Sequence, residues 1–158
     1  MNIVAMNDSY RGRVAEFIKT NWLEVFIISR GRKVYPAEIE GFVALDDSNN
    51  IIGFVTYEIT GKQCEVVTLD ALQKFQGIGT KLLATLIANL KTKDIKRLWL
   101  ITTNDNVDAI RFYQKRGFTI AAVHVNAIAH SRMLKPSIPL IGCYGIPIRD
   151  EMEFELIL

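Results

Sequence analysis

The sequence predicts an α/β (α+β) fold, with a mixed, mostly antiparallel central sheet of six to seven strands flanked by helices. Three observations predict it. Between Gly41 and Leu72, short apolar runs are separated by clusters of turn residues, as in an antiparallel meander. From Gly79 onward, helix-like and strand-like segments alternate, which places helices on the faces of a mixed sheet. No Pro-, Gly- or Ser-rich linker, internal repeat or low-complexity stretch divides the 158 residues, so residues 1–158 are expected to form one domain.

Each element has a local reason. Asn2 to Ala5 is a short, largely apolar run suited to a first strand. Asn7 or Asp8 can cap a helix running to about Asn21, in which Tyr10, Val14, Phe17 and Ile18 share one face. Trp22 to Glu40 holds Ser29-Arg30-Gly31-Arg32-Lys33 and Pro36, and reads as a loop flanked by a short helix or strand. Gly41–Leu45, Ile51–Thr60 and Cys64–Leu72 are the three strands of the meander, with Asp46 to Asn50 and Gly61-Lys62 as its turns. Leu82, Leu83, Leu86, Ile87 and Leu90 form an apolar stripe on a helix from about Gly79 to Lys93. Arg97 to Thr103 is nearly continuous in apolar residues, as in a strand covered on both faces. Asn104-Asp105-Asn106 can cap a helix over Val107–Arg116, and Gly117 stops it. Phe118–Val125 reads as a strand. Ala127–Leu134 reads as a helix that ends before Pro136. In Pro147–Leu158 the alternation of Met152, Phe154, Leu156 and Leu158 predicts a half-buried closing strand.

Composition narrows the function. Apolar residues make up 49% and charged residues 23%, which excludes disorder, collagen and coiled coil. The net charge is only +2 and no basic stripe carries interleaved aromatics, so nucleic acid is not an expected partner. Mean hydropathy is high at +0.16. No run approaches the ~18 apolar residues of a membrane span, and no membrane partner is expected. The high apolar content allows a homodimer without requiring one. Cys64 and Cys143 fit no zinc spacing and are too few for a disulfide scaffold. With no apolar signal region at the start, the expected location is cytoplasmic.

The most informative segment is Lys74-Phe75-Gln76-Gly77-Ile78-Gly79-Thr80-Lys81, between a predicted strand and a predicted helix. Such a turn gathers unpaired backbone N–H groups at the positive end of a helix dipole, and glycines let a ligand approach the backbone. A phosphate cradle and a bare tight turn both satisfy this. The spacing does not fit a P-loop, and a dinucleotide fingerprint would need glycine where Leu82 stands. About 30 residues on lies Asn106-Val107-Asp108-Ala109-Ile110-Arg111-Phe112-Tyr113-Gln114-Lys115-Arg116-Gly117-Phe118.

Together the two segments resemble the GCN5-related N-acetyltransferase (GNAT) superfamily. That superfamily carries Gln/Arg-x-x-Gly-x-Gly/Ala at a helix start. A strand follows, then Asn-x-x-Ala-x-x-Phe/Leu-Tyr-x-x-x-Gly-Phe. Gly77 and Gly79 match the first motif, with Lys74 at the Gln/Arg position. Asn106, Ala109, Phe112, Tyr113, Gly117 and Phe118 match the second. The order of predicted elements matches as well, so the resemblance spans nearly the whole chain.

The resemblance implies a GNAT-like acyl-CoA acyltransferase fold and acetyl-CoA as donor, with no metal. It places the CoA pyrophosphate on the N–H groups of Gln76, Gly77, Ile78, Gly79 and Thr80, where the cation of Lys74 suits phosphate. The pantetheine arm pairs with the strand end at Ala71 and Leu72, in a gap where the two central parallel strands splay. Asn106 contacts pantetheine or holds the helix start beside Ala109. A backbone N–H near Leu72 polarises the thioester carbonyl. Tyr113 is the acid or thiol contact, unless it is only a core aromatic. Glu65 is the base, directly or through water, unless it faces solvent. His124 and His130 are alternative bases, and Asp70 may only cap a strand end. The implied acceptor is a primary amine of a small molecule or peptide, entering beside Trp22–Glu40 and Pro136–Pro147. There Arg30, Arg32, Lys33 and Tyr35 form either a basic rim suited to an acceptor that also carries a carboxylate or phosphate, or a solvated surface loop. Two other classes fit less of the pattern: a non-catalytic CoA-binding sensor or interaction domain, and a nucleotide-binding protein using only the Gly77–Gly79 turn.

Overall fold

The computed structural model describes residues 1–22, 24–72 and 76–158. Turn chemistry builds the meander, as the sequence predicts. β4 (Glu40–Leu45) and β5 (Ile51–Thr60) are joined where the Asp46 carboxylate accepts the N–H groups of Ser48 at 2.9 Å and Asn50 at 2.8 Å, with Asn49 at φ 63°. β5 and β6 (Gln63–Ala71) turn at Gly61, φ 60°. β1 (Asn2–Ala5) adds antiparallel to β4. β7 (Arg97–Thr103), β8 (Thr119–His124) and β9 (Glu151–Ile157) complete a seven-stranded sheet of order β1-β4-β5-β6-β7-β9-β8. Among the described residues β6 and β7 are its only parallel neighbours.

That parallel pair is short. It runs from Gln63 opposite Arg97 to Val66 opposite Leu100 and then stops, although both strands continue. On the other side of β6 the register with β5 shifts between Thr56 and Tyr57, a bulge that leaves Val67 without an opposite residue. A bulge bends and twists its strand. The bend falls where β6 and β7 part, so the gap implied by the family resemblance is present.

The sheet buries both faces. Ile78, Leu82, Leu83, Leu86 and Leu90 of α2 (Ile78–Thr92) pack with Val55, Tyr57, Cys64, Val66 and Phe154. On the other face, Val14 and Ile18 of α1 (Asp8–Trp22) pack with Val43, Leu45 and Phe54. α3 (Val107–Gln114) joins the α2 face through Tyr113, and α4 (Ala127–Leu134) follows β8.

Several boundaries differ from expectation. The stretch read as a loop at Ser29–Lys33 is the tip of a separate hairpin, β2 (Ile27–Ser29) with β3 (Arg32–Val34), followed by a short 3-10 turn at Pro36–Glu38. Arg30 and Gly31 both take positive φ, 49° and 72°, the two-residue turn whose twist matches a hairpin. Such short strands carry too few residues for periodicity to show. α3 stops at Gln114, two residues before the expected Arg116. The closing strand starts at Glu151; residues 147–150 instead lie beside a bridge between Ile141 and Pro147.

Candidate active site

The first N–H groups of α2 lie outside the helix's own bonding. Its first intrahelical bond is Lys81 N–H to Gly77 O at 3.0 Å, and no side chain caps it. The N–H groups of Ile78, Gly79 and Thr80 therefore lack helical acceptors. Gly77, at φ 77°, needs its glycine for backbone reasons. Gly79 does not: a Cβ there would meet Phe112 at an ordinary 3.4 Å. The described packing around residue 79 therefore does not require glycine.

These residues open onto a cleft of about 860 Å³. Leu69, Asp70 and Ala71 of β6 form one wall, and Asn106, Ala109, Phe112, Tyr113 and Arg116 the other. Trp22 and Cys143 reach it too, so both stretches expected on the acceptor side border it. Asn106 caps α3: its Oδ1 accepts the Ala109 N–H at 3.2 Å. Of the expected cofactor residues, Ala71, Gly77, Ile78, Gly79, Thr80, Asn106, Ala109 and Tyr113 line the cleft. Gln76 is exposed and outside the lining. Lys74 lies outside the described residues.

Leu72 is displaced from its expected part. Its N–H donates to Ile52 O at 2.9 Å, back toward β5. Successive backbone N–H groups of an antiparallel strand point to alternate neighbours. Those of Ala71 and Leu69 thus point the other way: Asp70 Oδ1 accepts the Ala71 N–H at 2.7 Å, and the Leu69 N–H faces the gap that β7 has left. Leu69, absent from the sequence expectations, is the second backbone group on that edge. Alternation along the strand would have found it, had the direction of one bond been known.

Tyr113 is buried, its ring edge-on to Phe112 at 5.1 Å and to Phe118 at 5.3 Å. Burial pushes its phenol pKa up, so the group keeps its proton at neutral pH. Arg116 is a second residue that the sequence did not single out. Its guanidinium lies 3.5 Å from the Phe112 ring centroid, donates from Nη1 to Phe112 O at 2.7 Å, and from Nε to Thr80 Oγ1 at 3.2 Å.

Glu65 is on the opposite face. Cys64 and Val66 enter the core that contains Tyr113, so Glu65 between them points away. It does not face solvent: it is 6% exposed. The Ser29 hydroxyl donates to its Oε1, and Arg32 Nη2 donates to Oε2 at 3.0 Å. Burial pushes its pKa up, and Ser29 and Arg32 oppose that only in part. Glu65 lines a second cavity of about 530 Å³ with Ser29, Arg30, Arg32, Glu58, Thr60, Gln63 and Trp99. The expected basic rim is neutralised there. Arg32 also pairs with Glu58 at 2.6 Å, Arg30 Nη1 lies 3.5 Å from Glu151, and Lys33 Nζ sits 4.2 Å from the centre of the Phe26 ring. The carboxylates come from β5, β6 and β9, far from the hairpin in sequence. His124 Nε2 lies 2.9 Å from Glu153 Oε2, and His130 lies against the hairpin turn at Gly31; neither lines either cavity. Among the described residues no group of His, Cys, Asp and Glu is placed to hold a metal ion.

Residues 6–118 match the acetyltransferase (GNAT) family. The chain belongs to the GNAT family. This GNAT chain is 42% identical over 160 residues to the Bacillus subtilis (strain 168) protein described as "Uncharacterized protein YdhI", covering 100% of this chain and 99% of that one. It is 39% identical to "Uncharacterized protein YxbD" of the same organism, over 96% of each. Among solved structures, an IAA acetyltransferase from Bacillus cereus ATCC 14579 superposes with TM-score 0.70 at 20% identity, over 99% of this chain and 100% of that one. A GNAT family acetyltransferase from Elizabethkingia anophelis, solved with acetyl-CoA bound, superposes with TM-score 0.69 at 22% identity, over 99% and 97%. The mixed sheet and its flanking helices are those of the GNAT acyltransferase fold. No helix among the described residues is long and apolar enough to cross a membrane.

Proposed function

We propose that this GNAT chain is an acetyl-CoA-dependent N-acetyltransferase, moving an acetyl group to a primary amine of a small molecule or peptide. One observation carries the reading: a single cleft joins the start of α2, whose first N–H groups have no helical acceptor, the end of β6 at Leu69 to Ala71, and Tyr113. A ligand with an anionic end, an extended amide arm and a reacting group would meet all three. CoA has those parts, and the acetyltransferase bound to acetyl-CoA shares this fold.

When bound, acetyl-CoA supplies an acetyl group activated as a thioester. The residues that would hold it have separate tasks. Ile78, Gly79 and Thr80 offer N–H groups to the pyrophosphate at the positive end of α2. Arg116, fixed on Phe112, adds a cation beside them. Leu69 presents its N–H to the pantetheine arm and thioester carbonyl in place of the expected Leu72, while the Ala71 N–H is held by the Asp70 carboxylate. Asn106 holds the start of α3 and so fixes Tyr113. Tyr113 holds a proton to give to the departing sulfur, as a general acid must. Glu65, on the far face, takes a proton from the acceptor ammonium, which is charged at neutral pH and cannot attack until it loses one. The two cysteines, Cys64 buried and Cys143 exposed, have no part in this chemistry and suit a cytoplasmic enzyme.

Thermal shift with acetyl-CoA, CoA and ATP tests the binding reading, and stabilisation by both CoA species but not ATP is expected. Thiol release across an amine panel then tests turnover. Binding without release from any amine would favour the non-catalytic sensor instead.

A further inference from the structure

The β2–β3 hairpin is a separate two-stranded sheet whose turn faces the main sheet with two side chains. Ser29 pairs with Arg32 across the Arg30-Gly31 turn. Directly opposed residues of an antiparallel pair project from the same face. One face of the hairpin therefore carries both side chains, and both end on Glu65: Ser29 Oγ on Oε1, Arg32 Nη2 on Oε2 at 3.0 Å. The clamp is itself anchored. Glu58 of β5 holds Arg32 at 2.6 Å, and Glu151 of β9 accepts the Arg30 N–H at 3.3 Å. Gly31 has φ 72°, and a Cβ there would meet His130 of α4 at 3.3 Å, so backbone and packing both fix the turn. A one-residue slip would turn Ser29 and Arg32 away together.

We propose that Ser29 and Arg32 are positioning residues for Glu65, holding its carboxylate ionised and fixed at the second cavity so that it can take a proton from the acceptor amine. The inference rests on the reading of Glu65 as the base. In the step, the acceptor ammonium gives one proton to Glu65 and keeps the electron pair with which nitrogen attacks; the proton later leaves from Glu65 to solvent through the cavity. Oε1 is the oxygen that receives it. Arg32 has only donors to offer Oε2, whereas the Ser29 hydroxyl can donate to ionised Oε1 and accept from it once protonated.

The surroundings make this assistance necessary. Glu65 faces Arg32 and Arg30 from the hairpin, Glu58 from β5, and the uncharged Trp99 from β7; Cys64 is its titratable neighbour on β6. Arg97 is already engaged by Glu153 and Glu155, each at 2.6 Å. Burial and Glu58 both favour protonated Glu65. Only Ser29 and Arg32 oppose them, and a protonated Glu65 could take no further proton.

The test uses the full chain with carbon-13 in its glutamate carboxyl groups, titrated by NMR, with the Glu65 signal assigned by its loss in Glu65→Gln. The Glu65 midpoint is expected to rise by about half to one pH unit in Ser29→Ala and in Arg32→Gln, and to return at least halfway in Arg32→Lys. The acid limb of kcat/KM should move with it, a loss of about two- to fivefold at the original midpoint. The acetyl-CoA thermal shift should be unchanged, which shows that each variant is folded. A midpoint that stays put in both variants overturns the proposal, and so does an acid limb that fails to follow a moved midpoint. Full turnover in Glu65→Gln would instead remove the base assignment, a separate failure that the NMR titration does not share.

Discussion

Arg116, just beyond the end of α3, holds the hydroxyl of Thr80 in the first turn of α2, with Nε 3.2 Å from Oγ1. The contact ties the two motif segments together and sets a guanidinium beside the first turn of α2. Arg116→Ala is expected to weaken acetyl-CoA binding about tenfold, as for a charge-assisted contact of roughly 1.5 kcal/mol. It should not change binding of S-acetylpantetheine, which lacks the pyrophosphate. Isothermal titration with both thioesters checks this; equal loss for the two would mean that Arg116 only braces the fold.

The two glycines should separate by mechanism. Gly77→Ala forces a side chain into φ 77° and should cost about 1–2 kcal/mol of stability. Gly79→Ala meets only an ordinary contact with Phe112 and gains helix propensity, so its melting temperature should hold or rise slightly. Its acetyl-CoA affinity should nevertheless fall. Calorimetric melting of both variants, with and without acetyl-CoA, reads the split.

Tyr113→Phe keeps the ring contacts with Phe112 and Phe118 and removes only the hydroxyl. Under the acid assignment kcat should fall about 100-fold, the low end for general acids, because a thiolate leaves fairly well unaided. The acetyl-CoA dissociation constant should hardly move. An unchanged kcat would leave Tyr113 as a core aromatic alone.

Glu153 gives a stability prediction with a definite sign. Burial alone would raise its pKa, but hydrogen bonds from Arg97 and His124 hold it below the ordinary carboxylate value. A carboxylate with a lowered folded pKa stabilises the fold above its unfolded pKa, near 4.3, and that contribution is lost as pH falls through the folded value. Arg97→Gln should therefore lower the melting temperature at pH 7 and flatten its decline between about pH 5 and 3. Melting curves across that range would show it; a parallel decline in both proteins would count against the ion pair.

The lining of the first cleft was legible in the sequence because its parts are local. Gly77, Gly79, Asn106 and Tyr113 each sit in a turn, a cap or a helix face that spans a few residues. The meander and the alternating helices were legible for the same reason: turn chemistry and side-chain period are properties of short windows. The hairpin was not, since three-residue strands show no period.

Three facts depended on the tertiary structure. Leu72 gives its N–H to β5 while that of Leu69 faces the gap, because a strand's donors alternate and only a real neighbour fixes the phase. Arg116 meets Thr80 only when α3 lies against α2. The arginines of the expected basic rim, Arg30 and Arg32, end on Glu151, Glu58 and Glu65 because the sheet brings β5, β6 and β9 under the hairpin. Sequence determined which groups are present and the local conformation that each prefers; the long-range pairing of strands decided which charges meet, and so which carboxylate is buried and held.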